Sequence, residues 1–269
     1  MSTGRTLRLS RLFNSKSKCT VILPMDHGVE GYFPELSNPL SLIASLADVG
    51  PNGFILRRGI VRQTCSSFAG KASLVLRVTT ATCLRDKFAE QAYTASVEEA
   101  VRLGADGVVP NLFVGSDREL EDLHSFGILA DACDRWGMPL IGEVFPIGDE
   151  NTKPFDGPYK VEEVREAVRI GAEEGCDVIK TCYTGDPESF RRITSHSPVP
   201  VIISGGPKGK TPEDTLRMVD GALQGGARGI CLGRRVWGSK NPALTLKILK
   251  KMVHEKLSLK EAVKELKRA

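Results

Sequence analysis

A lysine stands in the middle of an apolar segment, "CDVIKTCYTG", which runs from Cys176 to Gly185. The flanking Val, Ile and Cys residues predict a buried strand, and lysine is almost never buried there without a partner. We expect the loss of water around the Lys180 ammonium to lower its pKa, so that the neutral amine can form a Schiff base with a ketone or aldehyde. The structural alternative is an ion pair with an inward carboxylate such as Asp26 or Glu143. The position of Lys180 near the end of its strand favours chemistry.

An aspartate and a histidine end the first apolar segment, "VILPMDHG". Strand alternation places Ile22, Pro24 and Asp26 on one face and His27 at the start of the following loop. Asp26 can orient a substrate hydroxyl, and His27 is a candidate substrate-binding residue. The alternative for Asp26 is a carboxylate that caps the backbone of the turn, and the residues leave both interpretations open.

Arg77 and Glu143 are two further candidates for the same interior, because each shares its strand face with apolar residues. Glu143 could act as a general acid or base beside Lys180, and Arg77 could bind substrate. Alternatively the two side chains neutralise each other, and this structural interpretation suits Arg77 better.

Glycines follow the two apolar segments nearest the C-terminus, in "VIISGGPKGK" and "GGARGICLGRRVWG". Gly205, Gly206 and Gly233 can expose backbone N–H groups, and helices that begin just after them would point their positive ends at the same place. Arg234 or Arg235 could add a charged clamp. These features predict a phosphate site. The spacing of a nucleotide-binding P-loop is missing.

The four histidines are scattered along the chain, and no cluster of His, Cys and carboxylates has the spacing of metal ligands. A metal-dependent mechanism is therefore disfavoured, and no cofactor is predicted.

These residues need elements that bring them together, and the chain repeats a short apolar strand, a polar turn and an amphipathic helix. Eight such units predict a closed parallel (β/α)8 barrel, the TIM barrel, whose active sites lie at the C-terminal ends of the strands. The segment "VRQTCSSFAGK" has little helical pattern and is the weakest unit. No linker interrupts the repeat, so we interpret residues 1–269 as one domain, with "SLKEAVKELKRA" as an additional short C-terminal helix. The predicted strands are Val21–Asp26, Gly53–Arg58, Ser73–Thr79, Gly107–Phe113, Pro139–Phe145, Asp177–Tyr183, Val199–Ser204 and Gly229–Gly233.

Composition excludes several classes of protein. No apolar run approaches the ~18 residues of a membrane span. The net charge of +4 reflects a basic tail, since the last 23 residues hold seven Lys and one Arg, and aromatic residues make up only 6% of the chain. Neither feature predicts a nucleic-acid partner.

Seven cysteines without a CxxC pair indicate free thiols in a reducing compartment, which favours a cytoplasmic enzyme.

The segments "PMDHG", "DVIKTCYTGD", "ISGGPK" and "GARGICLGRRVW", in this order, resemble the class I aldolases of the DeoC/FbaB type. That group includes archaeal-type fructose-bisphosphate aldolase, 2-amino-3,7-dideoxy-D-threo-hept-6-ulosonate synthase and the thiolase that degrades phosphorylated autoinducer-2. The resemblance implies a Schiff-base lysine at Lys180 and an inward carboxylate at Asp26. It implies a phosphate loop made by Ser204, Gly205, Gly206, Gly233 and Arg234. It also implies a homo-oligomer, since members are commonly rings such as decamers.

The chain departs from these aldolases at the end of the fifth strand. The family's tyrosine, the acid/base group, is followed there by Pro-Arg-Gly, whereas this chain reads "GEVFPIG" and has Phe145 and Ile147 at the tyrosine and arginine positions. Phenylalanine cannot transfer a proton, and Glu143 is the best-placed substitute. Tyr183 is predicted to point to the opposite face.

The predicted function is a metal-independent Schiff-base aldolase or transaldolase that acts on a phosphorylated ketose, most like fructose-bisphosphate aldolase. A coenzyme-A-dependent thiolase acting on a phosphorylated dione is the first alternative, because that branch also lacks the tyrosine. A non-catalytic barrel that binds sugar phosphates is the second.

Overall fold

The computed structural model describes residues 2–82, 84, 89–147, 159–206 and 211–268. Eight parallel strands form its main sheet, and the fourth is divided by Pro110 into β4a and β4b. The strands are β1 (Thr20–Pro24), β2 (Gly53–Leu56), β3 (Ser73–Arg77), β4a (Gly107–Val109), β4b (Asn111–Val114), β5 (Ile141–Pro146), β6 (Val178–Thr181), β7 (Val201–Ser204) and β8 (Gly229–Cys231).

The sheet closes on itself through the divided fourth strand. β4a pairs with β3 and β4b pairs with β5, while β1 pairs with both β2 and β8. Proline has no N–H to donate to a neighbouring strand, yet the Pro110 carbonyl still accepts a hydrogen bond from the Glu143 N–H at 2.9 Å. The predicted (β/α)8 barrel is therefore confirmed.

Helices cover the outside of the barrel. They are α1 (Thr3–Leu12), α2 (Pro39–Val49), α3 (Arg58–Phe68), α4 (Val97–Arg102), α5 (Glu119–Trp136), α6 (Val161–Glu173), α7 (Pro187–Thr194), α8 (Pro212–Gln224), α9 (Arg234–Trp237), α10 (Pro242–Glu255) and α11 (Leu259–Lys267). Within the described part of the chain, none of them combines the length and the apolar character that a membrane crossing requires.

Three helical features bear on the sequence predictions. The segment expected to be weakly helical is a complete helix, α3, because Val61, Thr64 and Phe68 bury one face of it. Left-handed glycine caps end α2 at Gly50 and α5 at Gly137. The terminal helix α11 packs against α8 and α10 of its own chain.

The lower interior of the barrel is an apolar layer to which every strand contributes one side chain. Its members are Ile22, Ile55, Val75, Val109, Ile141, Val178, Ile202 and Cys231. Leu12, at the end of α1, belongs to the same cluster and closes it from below. The methyl groups of Leu12 lie against Gly53 and Gly107, where a Cβ atom would come within 3.4 and 3.5 Å of them. The N-terminal helix is thus the floor of the barrel.

Replacing Leu12 by alanine is expected to lower the free energy of unfolding by about 3 kcal/mol, because a fully buried side chain leaves a cavity in a layer that cannot collapse. Leu7→Ala on the same helix is the matched control, since Leu7 is 54% exposed and should cost less than about 0.5 kcal/mol. Denaturant unfolding of both variants measures the difference. Equal losses would contradict the assignment of Leu12 as the floor.

Candidate active site

A polar layer lies directly above the apolar floor. Side chains two residues apart on a strand share a face, so each floor residue predicts a second interior residue two positions later. These eight residues are Pro24, Arg57, Arg77, Asn111, Glu143, Lys180, Ser204 and Gly233, and all of them line one cavity at the C-terminal end of the barrel.

Apart from Arg235, the described site residues predicted from the sequence all line this same cavity. Lys180 and Glu143 lie in its base on adjacent strands, with their Cα atoms in register. Asp26 follows β1, and His27 begins the next turn, as alternation predicts. The glycine loops of β7 and β8 form another wall. The structure places these side chains together, whereas their chemical roles stay predictions.

Four charged side chains form the centre of the site. Lys180 Nζ donates a hydrogen bond to Glu143 Oε1, and the Arg77 guanidinium donates to Glu143 Oε2. Arg77 Nε also donates to Asp26 Oδ2 at 2.5 Å, and a further nitrogen of its guanidinium donates to Asn111 Oδ1 at 2.6 Å. Each of the four charged side chains is only 5% exposed. Two positive and two negative charges therefore neutralise one another at the base of the cavity.

The charge state of the lysine differs from the expectation. Burial by itself would lower the pKa of Lys180, but the neighbouring negative charges of Glu143 and Asp26 raise it above the usual value. The Cys231 thiol is adjacent to Lys180, but burial raises the pKa of this thiol to about 12, so it is uncharged at neutral pH. The negative charge that keeps Lys180 protonated therefore comes from the two carboxylates. The predicted lowering of the Lys180 pKa was wrong. The prediction considered the effect of burial and left out the ion pair with Glu143.

The two carboxyl groups are held as carboxylates. Burial would raise the pKa of Asp26, but the charges of Arg77 and Lys180 outweigh it and hold this pKa well below the usual range. For Glu143, burial is likewise outweighed by Arg77 and Lys180, and its pKa is lowered. Glu143 is therefore an ionised base in contact with the lysine ammonium. The ion pair expected as the structural alternative for Lys180 is therefore present, and it lines the cavity at the C-terminal end of the barrel.

His27 is buried beside this cluster, with Nδ1 3.6 Å from Asp26 Oδ1. Burial lowers the pKa of His27 to about 4, so the ring is neutral at pH 7. The ring packs edge-on against Trp237 with centroids 5.3 Å apart. It also covers Gly233, where a Cβ atom would lie 2.6 Å from His27 Cε1 and 2.7 Å from the Pro24 carbonyl oxygen. Gly233 is thus required by close packing.

The described residues of the predicted phosphate site lie together at one wall of the cavity. Ser204, Gly205 and Gly206 end β7 at the cavity, and the Ser204 hydroxyl is buried with no hydrogen-bond partner among the described residues. Of the two arginines considered for the clamp, Arg234 lines the cavity. Arg235 instead donates hydrogen bonds to the Gly205 carbonyl and to Thr215, and so braces the loop. Pro207 and Lys208 of the predicted loop lie outside the described residues.

The helix after β7 corrects another expectation. The start of α8 is closed by a capping box in which Thr211 and Asp214 satisfy each other's backbone N–H groups. Its first turn also carries Glu213 and Asp214, whose negative charges oppose an anion. By contrast, α9 begins at Arg234 with no side-chain cap at Gly233. The start of α9 therefore stays a predicted contributor to the phosphate site, and the start of α8 does not.

Four cavity residues with charged or amide side chains were missed in the sequence: Glu30, Arg57, Gln91 and Asn111. Arg57 donates hydrogen bonds to the carbonyl oxygens of Asp26 and Thr79 at 3.0 and 3.1 Å. Asn111 donates to Gln91 Oε1 at 3.0 Å. The alternation that identified Lys180 also applies to Arg57 and Asn111, which stand two residues after Ile55 and Val109. No comparable signal marks Glu30 or Gln91, which lie in loops.

The end of β5 contains no proton donor. Phe145 is fully buried, and its ring stacks with Phe113 at a centroid distance of 6.4 Å. Tyr183 packs outside the barrel against Phe190 and Gly221, so its predicted outward direction is confirmed. In the described ranges no group of three His, Cys, Asp or Glu side chains is arranged to hold a metal ion. What the arrangement offers is an amine in direct contact with a base, beside the wall predicted to bind phosphate.

Comparisons with known proteins agree with this geometry. Residues 20–239 match the family described as DeoC/LacD family aldolase. The chain is 32% identical to 2-amino-4,5-dihydroxy-6-oxo-7-(phosphonooxy)heptanoate synthase of Streptomyces griseus, over 93% of this chain and 90% of that protein. It is 34% identical to 3-hydroxy-5-phosphonooxypentane-2,4-dione thiolase of an Enterobacter species, over 96% of this chain and 84% of that protein.

A solved structure is similar throughout. An archaeal fructose-1,6-bisphosphate aldolase, described with its catalytic Lys covalently bound to the carbinolamine intermediate of the substrate, superposes with a TM-score of 0.83 at 32% identity. The superposition covers 93% of this chain and 99% of that one. The family match spans most of the chain and all eight barrel strands. The chain belongs to the DeoC/LacD family of aldolases.

Proposed function

We propose that this protein is a Schiff-base aldolase or transaldolase that cleaves or forms a carbon–carbon bond in a phosphorylated ketose. One observation carries the proposal: the buried ammonium of Lys180 donates a hydrogen bond directly to the Glu143 carboxylate inside an open cavity. The archaeal aldolase that binds its substrate through a lysine supports it.

The first steps follow from the charge state. The Lys180 amine is protonated at rest, so it must lose a proton before it can attack a carbonyl carbon. Glu143 is the group in contact with that proton, and it accepts the proton as the amine attacks. Glu143 then returns this proton to the carbinolamine hydroxyl, which leaves as water, and the resulting iminium withdraws electrons from the adjacent carbon–carbon bond. Asp26, held by Arg77, is placed to orient the substrate hydroxyl.

The test of this function is reduction with borohydride in the presence of dihydroxyacetone phosphate, followed by peptide mass mapping. We expect one reduced adduct, located at Lys180, because borohydride reduces the imine to a stable secondary amine. A panel of ketose phosphates should include a substrate that turns over. Absence of any adduct across this panel would exclude the Schiff-base function.

A thiolase is the second candidate, and two observations favour it. The chain is similar to a relative named as a thiolase for a phosphorylated dione, and Phe145 removes the phenol expected of an aldolase. Coenzyme-A-dependent cleavage of 3-hydroxy-5-phosphonooxypentane-2,4-dione, measured against the ketose panel, separates the two activities. Binding of these ligands without turnover, unaffected by Lys180→Ala, would instead identify a non-catalytic sugar-phosphate-binding barrel.

Gly233→Ala is expected to weaken binding of the phosphorylated ketone. The new methyl group meets the His27 ring and the Pro24 carbonyl, so it displaces the start of α9 and with it Arg234. We expect the dihydroxyacetone phosphate concentration that gives half-maximal trapping to rise about 10-fold, which corresponds to about 1.4 kcal/mol. Gly59→Ala is the control, because no atom lies within 4 Å of its added Cβ. An unchanged half-saturation in Gly233→Ala would contradict the phosphate assignment.

We further propose a cytoplasmic homo-oligomer. Six described cysteines are free thiols, which suits a reducing compartment. Light scattering of the purified protein gives the oligomer size, and a ring such as a decamer is the expected state.

A further inference from the structure

A third carboxyl group, that of Glu30, lines the cavity together with Asp26 and Glu143. Glu30 follows the short turn His27–Val29, and its backbone N–H donates to the His27 carbonyl at 2.8 Å. The side chain is half-buried. Its carboxyl group forms no hydrogen bond or ion pair with any residue that the structure describes, whereas the other two carboxylates are both held by Arg77.

The surroundings of Glu30 favour its neutral form. Burial and the negative charge of Asp26 raise its pKa to about 7, and Glu143 acts in the same direction. The cations Arg77 and Arg234 oppose this rise without cancelling it. Arg57 also faces Glu30, but its guanidinium is bound to two backbone carbonyls. The neighbouring His27 is neutral at pH 7.

The other acidic groups of the cavity do not suit reversible proton transfer to a substrate. In the resting site Asp26 and Glu143 both have lowered pKa values and are ion-paired, so neither holds a proton near pH 7, and the proton that Glu143 takes from Lys180 leaves with the water of the carbinolamine. Phe145 has no proton to give. A group that must first take a proton and later return it works best when its pKa lies near the working pH. Among the described groups that line the cavity, Glu30 meets this condition.

We propose that Glu30 is the catalytic residue that carries the proton during carbon–carbon bond cleavage and formation, which rests on the proposed Schiff-base function. In cleavage, the Glu30 carboxylate takes the proton of the hydroxyl on the carbon being released. The oxygen electrons form the new aldehyde C=O, the carbon–carbon bond breaks, and its electron pair moves through the iminium to Lys180 Nζ as an enamine. The Glu30 carboxylic acid then returns the proton to the enamine carbon. Water hydrolyses the regenerated iminium and releases the ketone, so no net proton is gained or lost.

The same step can be followed without knowledge of the aldehyde product. With dihydroxyacetone phosphate alone in D₂O, the iminium at Lys180 loses a proton from the carbon beside the former carbonyl and regains deuterium. Proton NMR measures this exchange, and borohydride trapping in parallel measures the iminium itself. The variant is Glu30→Gln, which keeps the shape and removes the proton carrier. Glu35→Gln in the same loop is the matched control, because Glu35 is exposed and does not line the cavity.

We expect Glu30→Gln to keep the trapped Lys180 adduct within about threefold of the parent and to lose exchange by about 10²- to 10⁴-fold, the usual contribution of a general acid or base. Parental exchange should increase as the pH rises through about 7, because the carboxylate is the base, and this inflection should be absent from Glu30→Gln. Glu35→Gln should match the parent in both measurements.

Three outcomes overturn the proposal, and they are distinguishable. Exchange in Glu30→Gln within threefold of the parent excludes Glu30 as the proton carrier. Loss of the trapped adduct in Glu30→Gln, with the adduct present in the parent, assigns Glu30 to binding or imine formation instead. Absence of the adduct in the parent itself excludes the Schiff-base function, and with it the role of Glu30.

Discussion

Lys180→Met is expected to abolish both borohydride trapping and turnover. Methionine approximates the length of the lysine side chain but cannot form an imine, and removal of a covalent nucleophile commonly costs about 10⁴- to 10⁶-fold in rate. Peptide mass mapping after reduction measures the first effect, and turnover of a ketose that the parent cleaves measures the second. A variant that keeps more than about 1% of parental turnover would show that Lys180 is not the nucleophile.

The same substitution should also lower stability, because Lys180 supplies one of the two buried positive charges. Without it, the base of the cavity holds Asp26, Glu143 and Arg77 with a net charge of −1. The double variant Lys180→Met/Glu143→Gln restores neutrality and is expected to unfold at a higher denaturant concentration than Lys180→Met alone. Both variants should be inactive. This pair separates the electrostatic contribution of the lysine from its chemistry, and equal midpoints would contradict the charge balance inferred from the hydrogen bonds.

Arg77→Met is expected to cause the second large effect, a decrease of about 3–5 kcal/mol in the free energy of unfolding at pH 7. The guanidinium donates to Asp26, Glu143 and Asn111, so its loss leaves two buried carboxylates with Lys180 as the remaining cation of the cluster. Arg77→Lys should recover only part of the loss, because an ammonium does not reproduce the planar fork. Arg135→Met is the control: its pair with Asp131 is exposed, and such pairs contribute less than about 1 kcal/mol.

The pH dependence of Arg77→Met follows from the lowered carboxyl pKa values. Asp26 and Glu143 have folded pKa values below their ordinary 3.8 and 4.5, so they stabilise the parent fully above those values and lose this contribution as the pH falls through the folded pKa values. Without Arg77 both carboxyl groups protonate at higher pH. The stability difference between parent and variant should therefore narrow as the pH falls from 7 toward 4. If the stability difference between the parent and Arg77→Met does not change with pH, the lost stability comes from the packing of the aliphatic part of Arg77.

Much of the barrel was predictable because its pattern is local. The apolar periodicity of the strands and helices reveals eight units. The segment before β3 has a poor helical pattern, yet it forms the helix α3 because one face of it packs against the sheet. Alternation within strands identifies interior residues from their neighbours alone. Applied to every floor residue, it also identifies Arg57 and Asn111, which stand two positions after Ile55 and Val109. The Gln91 and Glu30 positions lie in loops, where no period exists.

The sequence by itself determined the order of the elements, the interior direction of Lys180, Glu143, Arg77 and Asp26, and the absence of a phenol at Phe145. Only the tertiary structure decided which charges meet. Lys180 contacts Glu143 across 37 residues of sequence, and Arg77 contacts Asp26 across 51. A pKa is set by burial together with charges a few ångströms away, and those distances exist only once the barrel has closed. For that reason the lysine is protonated at rest, and a loop carboxyl that no pattern marks, that of Glu30, becomes the candidate proton carrier.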